Sequence, residues 1–359
     1  MNNKIESINC TDQLYKGFHI SKIINSLSNE NWKLILLPTE RCNFKCMYCY
    51  ENHALGQMTE NTVNAVKKLI ARRLETKELK YFNIAWFGGE PLLSKEIISN
   101  INGYVKKIAD QRVLFSSNIT TNGYLLDQKT FENLLALQIN YYQISLDGDR
   151  DFHDKVRCKI NGNGTFDKIW ENLLNIKKCD AEFSIILRLH VHSENIFSMQ
   201  KLVCKIKDAF SDDNRFKVFI RPISKLGGTN DDQVKSPSDV ISIIHKFYAM
   251  LDNKVSLWDT GSTIQGQYIC YAAQPNSLVI RPNGSLAKCT VALDTNINNI
   301  GKLNDDGTLS IINDKFQSWV EGFKEINNLL KCPYYNRKHS FEPKCGKCNF
   351  SNYDLTGRG

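Results

Sequence analysis

The chain has 359 residues, of which 42% are hydrophobic and 23% charged, as in an ordinary globular protein large enough for one large domain or two linked ones. No apolar run approaches the ~20 residues of a membrane span, and the N-terminus MNNKIESINC lacks the apolar core of a signal peptide, so we expect a cytoplasmic protein without a membrane partner. The formal net charge of +8 comes from scattered basic residues without a basic block or zinc-finger signature, which argues against nucleic-acid binding.

Short apolar runs alternate with longer amphipathic runs from about residue 33 to 222. The predicted strands are LILLP (34–38), FNIAWF (82–87), VLFSSNIT (113–120), YYQISL (141–146), FSIILRLHV (183–191) and FKVFIRP (216–222). The predicted helices lie near 59–76, 95–109, 128–137, 166–177 and 196–210. This alternation predicts an α/β fold with a parallel sheet, either doubly wound or a partial (β/α)6 TIM-type barrel. The motifs at the strand ends favour the partial barrel.

The rest of the chain differs in character. A polar linker, GGTNDDQVKSPSD, precedes a predicted helix at 238–252, and five of the 12 cysteines fall in the last ninety residues. We therefore expect a second, small C-terminal α+β domain held together by a cluster on these cysteines. The expected division is an N-terminal segment (1–32), a barrel (33–223), a linker with a bridging helix (224–269), the C-terminal domain (270–350) and a tail (351–359).

Three cysteines follow the first predicted strand in TERCNFKCMYCYE (39–51). Cys42, Cys46 and Cys49 have the spacing C-x3-C-x2-C. In a reducing compartment such cysteines are more often metal ligands or buried thiols than disulfides. Thiolates suit iron–sulfur clusters, and three of them on a four-iron cluster would leave one iron open. A zinc site that takes its fourth ligand from elsewhere in the chain is the alternative.

This stretch resembles the radical S-adenosylmethionine (SAM) enzymes, whose signature is C-x3-C-x2-C with an aromatic residue before the third cysteine. Tyr48 fills that place. The resemblance implies a 4Fe–4S cluster on Cys42, Cys46 and Cys49, with SAM bound at the open iron. It also implies reductive cleavage of SAM to a 5′-deoxyadenosyl radical that abstracts hydrogen from the substrate. An external reductant such as flavodoxin or ferredoxin would supply the electron.

Further motifs match the same family at the ends of the next strands, where barrel enzymes carry their chemistry. They are FGGEP (87–91), TTNGYLL (120–126), ISLDG (144–148) and HDKVR (153–157). The resemblance implies that SAM is bound by Tyr48, Gly88, Gly89, Glu90, Thr121, Asn122, Ser145, Asp147 and Arg157. Within this set, Ser145 and Arg157 are expected at the SAM carboxylate, and Asp147 at the ribose or in support of its neighbours.

The C-terminal cysteines form a second pattern. Cys270 and Cys289 enclose a predicted hairpin with Gly284 in its turn, in the spacing C-x13-G-x4-C. This resembles the auxiliary-cluster module SPASM or its shorter relative Twitch. The additional cysteines of a full SPASM module do not follow CGKC, so the resemblance implies a single auxiliary 4Fe–4S cluster. Its implied ligands are Cys270, Cys289, Cys345 and Cys348, with Cys332 as an alternative ligand or a spare thiol. Zinc is the alternative metal.

Enzymes with this two-part plan mostly act on peptides or proteins. The resemblance therefore implies oxidative modification of a ribosomally made precursor peptide, by a carbon–carbon or thioether cross-link, with the auxiliary cluster accepting the leftover electron. A peptide epimerase and a small-molecule radical SAM dehydrogenase are the alternatives. Cys158, which adjoins Arg157, is a candidate hydrogen donor, whereas nearby histidines are expected to be structural.

Two details bear on the substrate and its partners. Thr290 follows Cys289, where sulfatase maturases carry an aspartate base, which disfavours an anaerobic sulfatase maturase. About 32 residues precede the first predicted strand, too few for a domain-sized recognition segment. We therefore expect either a separate peptide-recognition protein or binding of the leader peptide by the linker and the N-terminal segment. A non-enzymatic electron carrier would leave the SAM motifs unexplained.

Overall fold

The computed structural model describes residues 14–15, 17–252, 256–257 and 268–338. The strands in these ranges are β1 (Leu14–Tyr15), β2 (Phe18–His19), β3 (Asn31–Leu36), β4 (Phe44–Cys46), β5 (Tyr81–Trp86), β6 (Leu114–Thr121), β7 (Ile139–Leu146), β8 (Arg157–Lys159), β9 (Ser184–Val191), β10 (Phe216–Pro222), β11 (Ser256–Leu257), β12 (Ser277–Ile280), β13 (Ser285–Ala287), β14 (Gly301–Leu303) and β15 (Leu309–Ile311). The α-helices are α1 (Ile20–Leu27), α2 (Glu60–Leu74), α3 (Lys95–Ile108), α4 (Gln128–Ala136), α5 (Arg150–Val156), α6 (Phe166–Lys177), α7 (Ile196–Phe210), α8 (Val240–Leu251), α9 (Asn313–Val320), α10 (Gly322–Glu325) and α11 (Pro333–Lys338).

The core of the molecule is a sheet in the order β11-β10-β9-β7-β6-β5-β3-β12-β13-β14-β15. The six strands from β3 to β10 in this sheet are parallel neighbours, and at least one helix connects each to the next. Among the strands that the structure describes, the sheet ends at β11 and β15 and does not close on itself. The predicted fold class, α/β with a partial (β/α)6 barrel, is therefore confirmed.

The ends of the predicted barrel elements lie within three residues of the observed ends. Alternation along the strands explains the two faces of the sheet. On β10, Phe216, Val218 and Ile220 are buried in the main core, while Lys217 and Phe219 lie on the other face and are only partly buried. Helices thus cover the outer face, and the inner face is free to carry polar chemistry.

The predicted C-terminal hairpin is present, and it is continuous with the barrel. β12 pairs in parallel with β3, with Val279 opposite Ile35, and it pairs antiparallel with β13. Gly284 has a φ of +78° in the turn between β12 and β13, a conformation that favours glycine. The hairpin therefore extends the barrel sheet past its first strand.

Among the residues that the structure describes, each helix is too short or too polar to cross a bilayer.

Candidate functional site

The first cysteine set, Cys42, Cys46 and Cys49, lies between β3 and α2, with Cys46 at the end of the short strand β4, and each member is partly buried. Burial raises the pKa of Cys42 to about 12 and that of Cys46 to about 11. The Cys46 and Cys49 thiols lie close enough to raise the pKa of Cys42 further. The N–H of Phe44 donates to Cys42 Sγ at 3.4 Å. Hydrogen bonds of this kind stabilise cluster-bound thiolates.

The donor chemistry of this set fits an iron–sulfur cluster better than a single ion. Within the described residues, no three His, Cys, Asp or Glu side chains converge tightly enough to hold one metal ion. A 4Fe–4S cluster places each thiolate on a different iron and so keeps the sulfurs farther apart than one zinc ion does.

Gly88 and Gly89 follow β5 and lie against the backbone of the cysteine loop. A Cβ on Gly88 would lie 2.2 Å from the Thr39 carbonyl oxygen, and one on Gly89 would lie 2.5 Å from that of Arg41. Gly88 also has a φ of +121°. In the described structure the glycines thus allow two loops to meet, a packing role beside the predicted contact with SAM.

Glu90 is fully buried and joins this loop to the one after β6. Its carboxylate accepts hydrogen bonds from Thr121 Oγ1 at 2.7 Å and from the N–H groups of Asn122 and Leu92 at 2.7 and 3.0 Å. Asn122 Nδ2 in turn donates to Asn43 Oδ1, on the cysteine loop, at 2.8 Å. Glu90, Thr121 and Asn122 therefore brace three loops against one another, and their SAM contacts remain predictions.

A polar network at the end of β7 holds Tyr48 and Arg157. The Tyr48 hydroxyl donates to Asp147 Oδ2, and Arg157 Nη1 donates to the Tyr48 hydroxyl oxygen at 2.6 Å. His190 Nδ1 lies 2.9 Å from Asp147 Oδ1. Burial would raise the pKa of Asp147, but His190 and Arg157 outweigh it and hold that pKa well below its usual range. Asp147 thus orients its neighbours as an anion, one of its two predicted roles.

Arg157 retains an unused donor for a ligand. Its Nε is buried and has no hydrogen-bond partner in the described structure. The pairing of β4 with β8 places Arg157 opposite Cys46, so the guanidinium lies beside the first cysteine set. A buried unpartnered donor at this place fits the predicted contact with the SAM carboxylate. Ser145, the other residue predicted there, is partly buried on the inner face of β7.

Cys158 lies on the other side of the β4–β8 ribbon. Its Sγ is 3.8 Å from the Lys45 carbonyl oxygen, while the preceding residue, Arg157, reaches Tyr48. Successive side chains of a strand point to opposite faces. The Cys158 thiol is nevertheless within electrostatic range of Cys46, and its role as a hydrogen donor stays a prediction.

The second cysteine set consists of Cys270, Cys289 and Cys332. Burial raises the pKa of Cys270 to about 12, and the nearby Cys289 and Cys332 thiols raise it further. The N–H of Val291 donates to Cys289 Sγ, and that of Tyr335 to Cys332 Sγ, both at 3.4 Å. The structure thus brings Cys332, which the sequence favoured only as an alternative, to the two hairpin cysteines. Cys345 and Cys348 lie outside the described residues.

Sequence reasoning missed two arginines on the inner face, Arg188 on β9 and Arg221 on β10. A detectable signal was present, because each is an arginine within a mostly apolar strand. Arg188 lies in register with Ser145 and within electrostatic range of Tyr48 and Asp147.

The family model described as "Radical SAM superfamily" matches residues 36–201. This segment runs from the end of β3 into α7, and it contains the first cysteine set and every residue predicted to bind SAM.

Two curated relatives match parts of the chain. It is 25% identical over 229 residues to the cysteine-type anaerobic sulfatase-maturating enzyme of Clostridium novyi (strain NT), covering 60% of this chain and 58% of that enzyme. It is 32% identical over 135 residues to the GTP 3',8-cyclase of Peptoclostridium acidaminophilum, covering 38% of this chain and 39% of that enzyme. The matches span less than two thirds of either relative.

Two solved structures share the fold. Native anSMEcpe with bound AdoMet and the Cp18Cys peptide has a TM-score of 0.60 at 20% identity, covering 89% of this chain and 86% of that one. Streptococcus suis SuiB bound to its precursor peptide SuiA has a TM-score of 0.55 at 14% identity, covering 85% of this chain and 69% of that one.

Proposed function

Residues 36–201 form a radical SAM domain, and on this basis we propose that the protein is a radical SAM enzyme that oxidatively modifies a precursor peptide. The first cysteine set would hold the 4Fe–4S cluster. The residues that we propose to bind SAM are Gly88, Gly89, Glu90, Thr121 and Asn122 on the two loops after β5 and β6, together with Tyr48, Ser145, Asp147 and Arg157. When bound, the cluster and SAM supply the electron and the 5′-deoxyadenosyl radical that abstracts hydrogen.

The chain's own residues hold the reactants and exclude water. Asp147 fixes Tyr48 and His190 by hydrogen bonds, and Tyr48 in turn positions the Arg157 guanidinium beside Cys46. Burial lowers the pKa of His190 to about 4, so it stays neutral and donates from Nδ1 to the Asp147 anion at neutral pH. This preorganised, buried network suits the shielding of a reactive radical.

The observation that best supports an oxidative reaction is the position of Tyr50 between the two cysteine sets. Tyr50 is within electrostatic range of Cys49 in the first set and of Cys289 in the second. Clusters on the two sets would thus lie on either side of Tyr50, and we propose the region around Tyr50 as the reaction space. We propose an auxiliary 4Fe–4S cluster on Cys270, Cys289 and Cys332, completed by Cys345 or Cys348. It would accept the second electron of a net two-electron oxidation.

This arrangement favours cross-link formation, by a carbon–carbon or thioether bond, over epimerisation. A cross-link removes two hydrogens and needs an electron acceptor, whereas an epimerase needs a hydrogen donor near the substrate. Cys158 Sγ lies 3.8 Å from the Lys45 carbonyl oxygen, whereas the neighbouring Arg157 joins the polar network. A small-molecule dehydrogenase would use the same electron acceptor and is distinguished by its substrate alone.

Sulfatase maturation is a second candidate, because a curated relative bears that name. The residues around Cys289 disfavour it. Thr290 Oγ1 lies 2.8 Å from the Tyr271 hydroxyl, and Asp294 lies 3.5 Å from Arg281 Nη2. Neither offers a free carboxylate base beside Cys289.

The proposed partners are the precursor peptide, an external reductant such as flavodoxin or ferredoxin, and a separate peptide-recognition protein. The peptide is the best supported, because two structures of the same fold contain bound peptides.

The test uses anaerobically reconstituted protein with SAM and dithionite. We expect 5′-deoxyadenosine from the wild type and none from a Cys42→Ala/Cys46→Ala/Cys49→Ala variant. With a precursor peptide present, mass spectrometry should show a product lighter by two hydrogens. Wild-type protein with full iron content that releases no 5′-deoxyadenosine would contradict the radical assignment, and an unchanged product mass would contradict the cross-link.

A further inference from the structure

Arg188 and Arg221 both lie on the inner face of the open barrel. Leu187 on β9 and Ile220 on β10 are buried in the main core under the helices, so strand alternation puts the two arginines on the opposite face. His190 shares that face, and it contacts the polar network at the end of β7. The two guanidinium groups therefore face the proposed reaction space.

The two arginines extend from the SAM loops toward the second cysteine set. Arg188 is in register with Ser145 and within electrostatic range of Tyr50. Arg221 lies one strand farther from the SAM loops, within range of Tyr268. Tyr268 in turn hydrogen-bonds to a thiol of the second cysteine set. A substrate lying between the two sets would pass both guanidinium groups.

The charge of Arg188 lacks a carboxylate partner in the part of the chain that the structure describes. Its Nε is buried without a hydrogen-bond partner, and it forms no ion pair there. The nearby Asp147 carboxylate is already held by His190 and Tyr48. Arg188 and Arg221 also repel each other, since both are cations within electrostatic range. Removing the Arg188 guanidinium from water without an ion-pair partner is costly, and a bound anion would offset that cost.

We propose that Arg188 and Arg221 bind a carboxylate of the peptide substrate, either an acidic side chain or the C-terminus. This inference rests on the proposed function, whose reaction space it concerns. A guanidinium presents parallel N–H donors that match the two oxygens of a carboxylate. The methionine carboxylate of SAM offers the same chemistry, but Arg157 Nε is already free for it. Arg221 lies two strands beyond the SAM-binding strand β7.

The test uses the reconstituted, SAM-loaded protein and two small probes, glutarate and its neutral analogue glutaramide. We expect calorimetry to show glutarate binding and no glutaramide binding. Arg188→Gln and Arg221→Gln should each weaken glutarate binding at least about tenfold, because each removes charged hydrogen bonds. Their affinity for SAM should stay unchanged. Arg72→Gln, on the outer helix α2, is the matched control and should bind glutarate like the wild type.

Three outcomes would overturn the proposal. One is equal glutarate binding in all variants, and another is equal binding of both probes. The third is a loss of SAM affinity in Arg188→Gln with glutarate binding intact, which would assign Arg188 to the SAM carboxylate. Iron content and the melting temperature check that each variant folds, and Arg188→Lys serves if Arg188→Gln does not. The assay needs no SAM cleavage, so failure of the radical reaction is measured separately.

Discussion

At the residue scale, Gly88 shows how closely two loops approach each other. Gly88→Ala would place a Cβ 2.2 Å from the Thr39 carbonyl oxygen, at a φ of +121°. We expect this change to displace the loop that leads to Cys42 and to lower both SAM affinity and the free energy of unfolding. Gly162→Ala is the matched control, since Gly162 also has a positive φ, of +82°, but faces open space.

Calorimetric SAM binding and anaerobic urea unfolding measure the difference between these variants. Gly162→Ala should cost about 1 kcal/mol from backbone strain alone and leave SAM binding intact. Equal effects of the two substitutions would show that the contact between the loops is unimportant.

A second residue-scale prediction concerns His153, which is fully buried beside the polar network. Burial, and next the charge of Arg157, lower the pKa of His153 to about 4. In the unfolded chain this histidine is protonated below about pH 6.5, whereas in the folded protein it is protonated only below about pH 4. The folded state therefore loses stability as the pH falls through this window. His153 should account for about 2 kcal/mol of the loss between pH 7 and pH 5.

The measurement is urea unfolding of wild type and His153→Gln at both pH values. Glutamine does not titrate, so the variant should lose correspondingly less stability on acidification. A loss of the same size in both proteins would contradict the assignment of this pH dependence to His153.

At the element scale, one buried ion pair fastens the C-terminal hairpin to the cysteine loop. Arg281, after β12, donates from Nε to Glu40 Oε1 at 2.7 Å and from Nη2 to Oε2 at 3.0 Å. The Glu40 side chain is only 2% exposed. Arg281→Met would leave that carboxylate buried and unpaired, so we expect a loss of about 3 kcal/mol in the free energy of unfolding.

Thermal and urea unfolding of two variants test this pair. Arg281→Met combined with Glu40→Gln should regain part of the loss, because no unpaired charge remains. Lys80→Met, which removes an exposed ion pair with Glu30, is the control and should change little. A double variant no more stable than Arg281→Met would argue against a charge effect.

The sequence predicted these elements unevenly, and for a physical reason. The long barrel strands and helices each have a hydrophobic periodicity of their own. The predicted ends of the strand at 216–222 and of the helix at 166–177 therefore coincide with the observed ends. The three-residue strands β4 and β8 carry no such signal. They form because Cys46 and Arg157 pair across more than a hundred residues. The parallel pairing of β12 with β3 is equally non-local.

The same contrast holds for the site. The motifs located the first cysteine set and the polar network, since spacing along one loop is a local property. They did not show that the Glu90 carboxylate accepts hydrogen bonds from Thr121 and Asn122. The grouping of Cys332 with the hairpin cysteines also depends on tertiary packing, because the N–H of Cys270 donates to the Leu330 carbonyl at 2.8 Å.

At the scale of the whole molecule, neighbouring strands of one sheet connect the first cysteine set with the hairpin cysteines of the second. The first set follows β3, and the neighbouring strand β12 lies in the hairpin that Cys270 and Cys289 enclose. Because β3 and β12 are hydrogen-bonded neighbours, the distance between the two sets is fixed by the sheet and not by a flexible linker. Such rigidity would suit the proposed electron transfer to an auxiliary cluster after hydrogen abstraction.

The last prediction separates the roles of the two sets. Reconstituted wild type should hold about eight irons per chain, and a Cys270→Ser/Cys289→Ser/Cys332→Ser variant about four. We expect this variant to release 5′-deoxyadenosine from SAM but to form no product lighter by two hydrogens, because it lacks the electron acceptor.

Cys158→Ser/Cys179→Ser/Cys204→Ser is the matched control, and it should keep its iron and its product. Full iron content in the first variant would exclude these cysteines as ligands. Product from a four-iron variant would mean that the leftover electron leaves by another route.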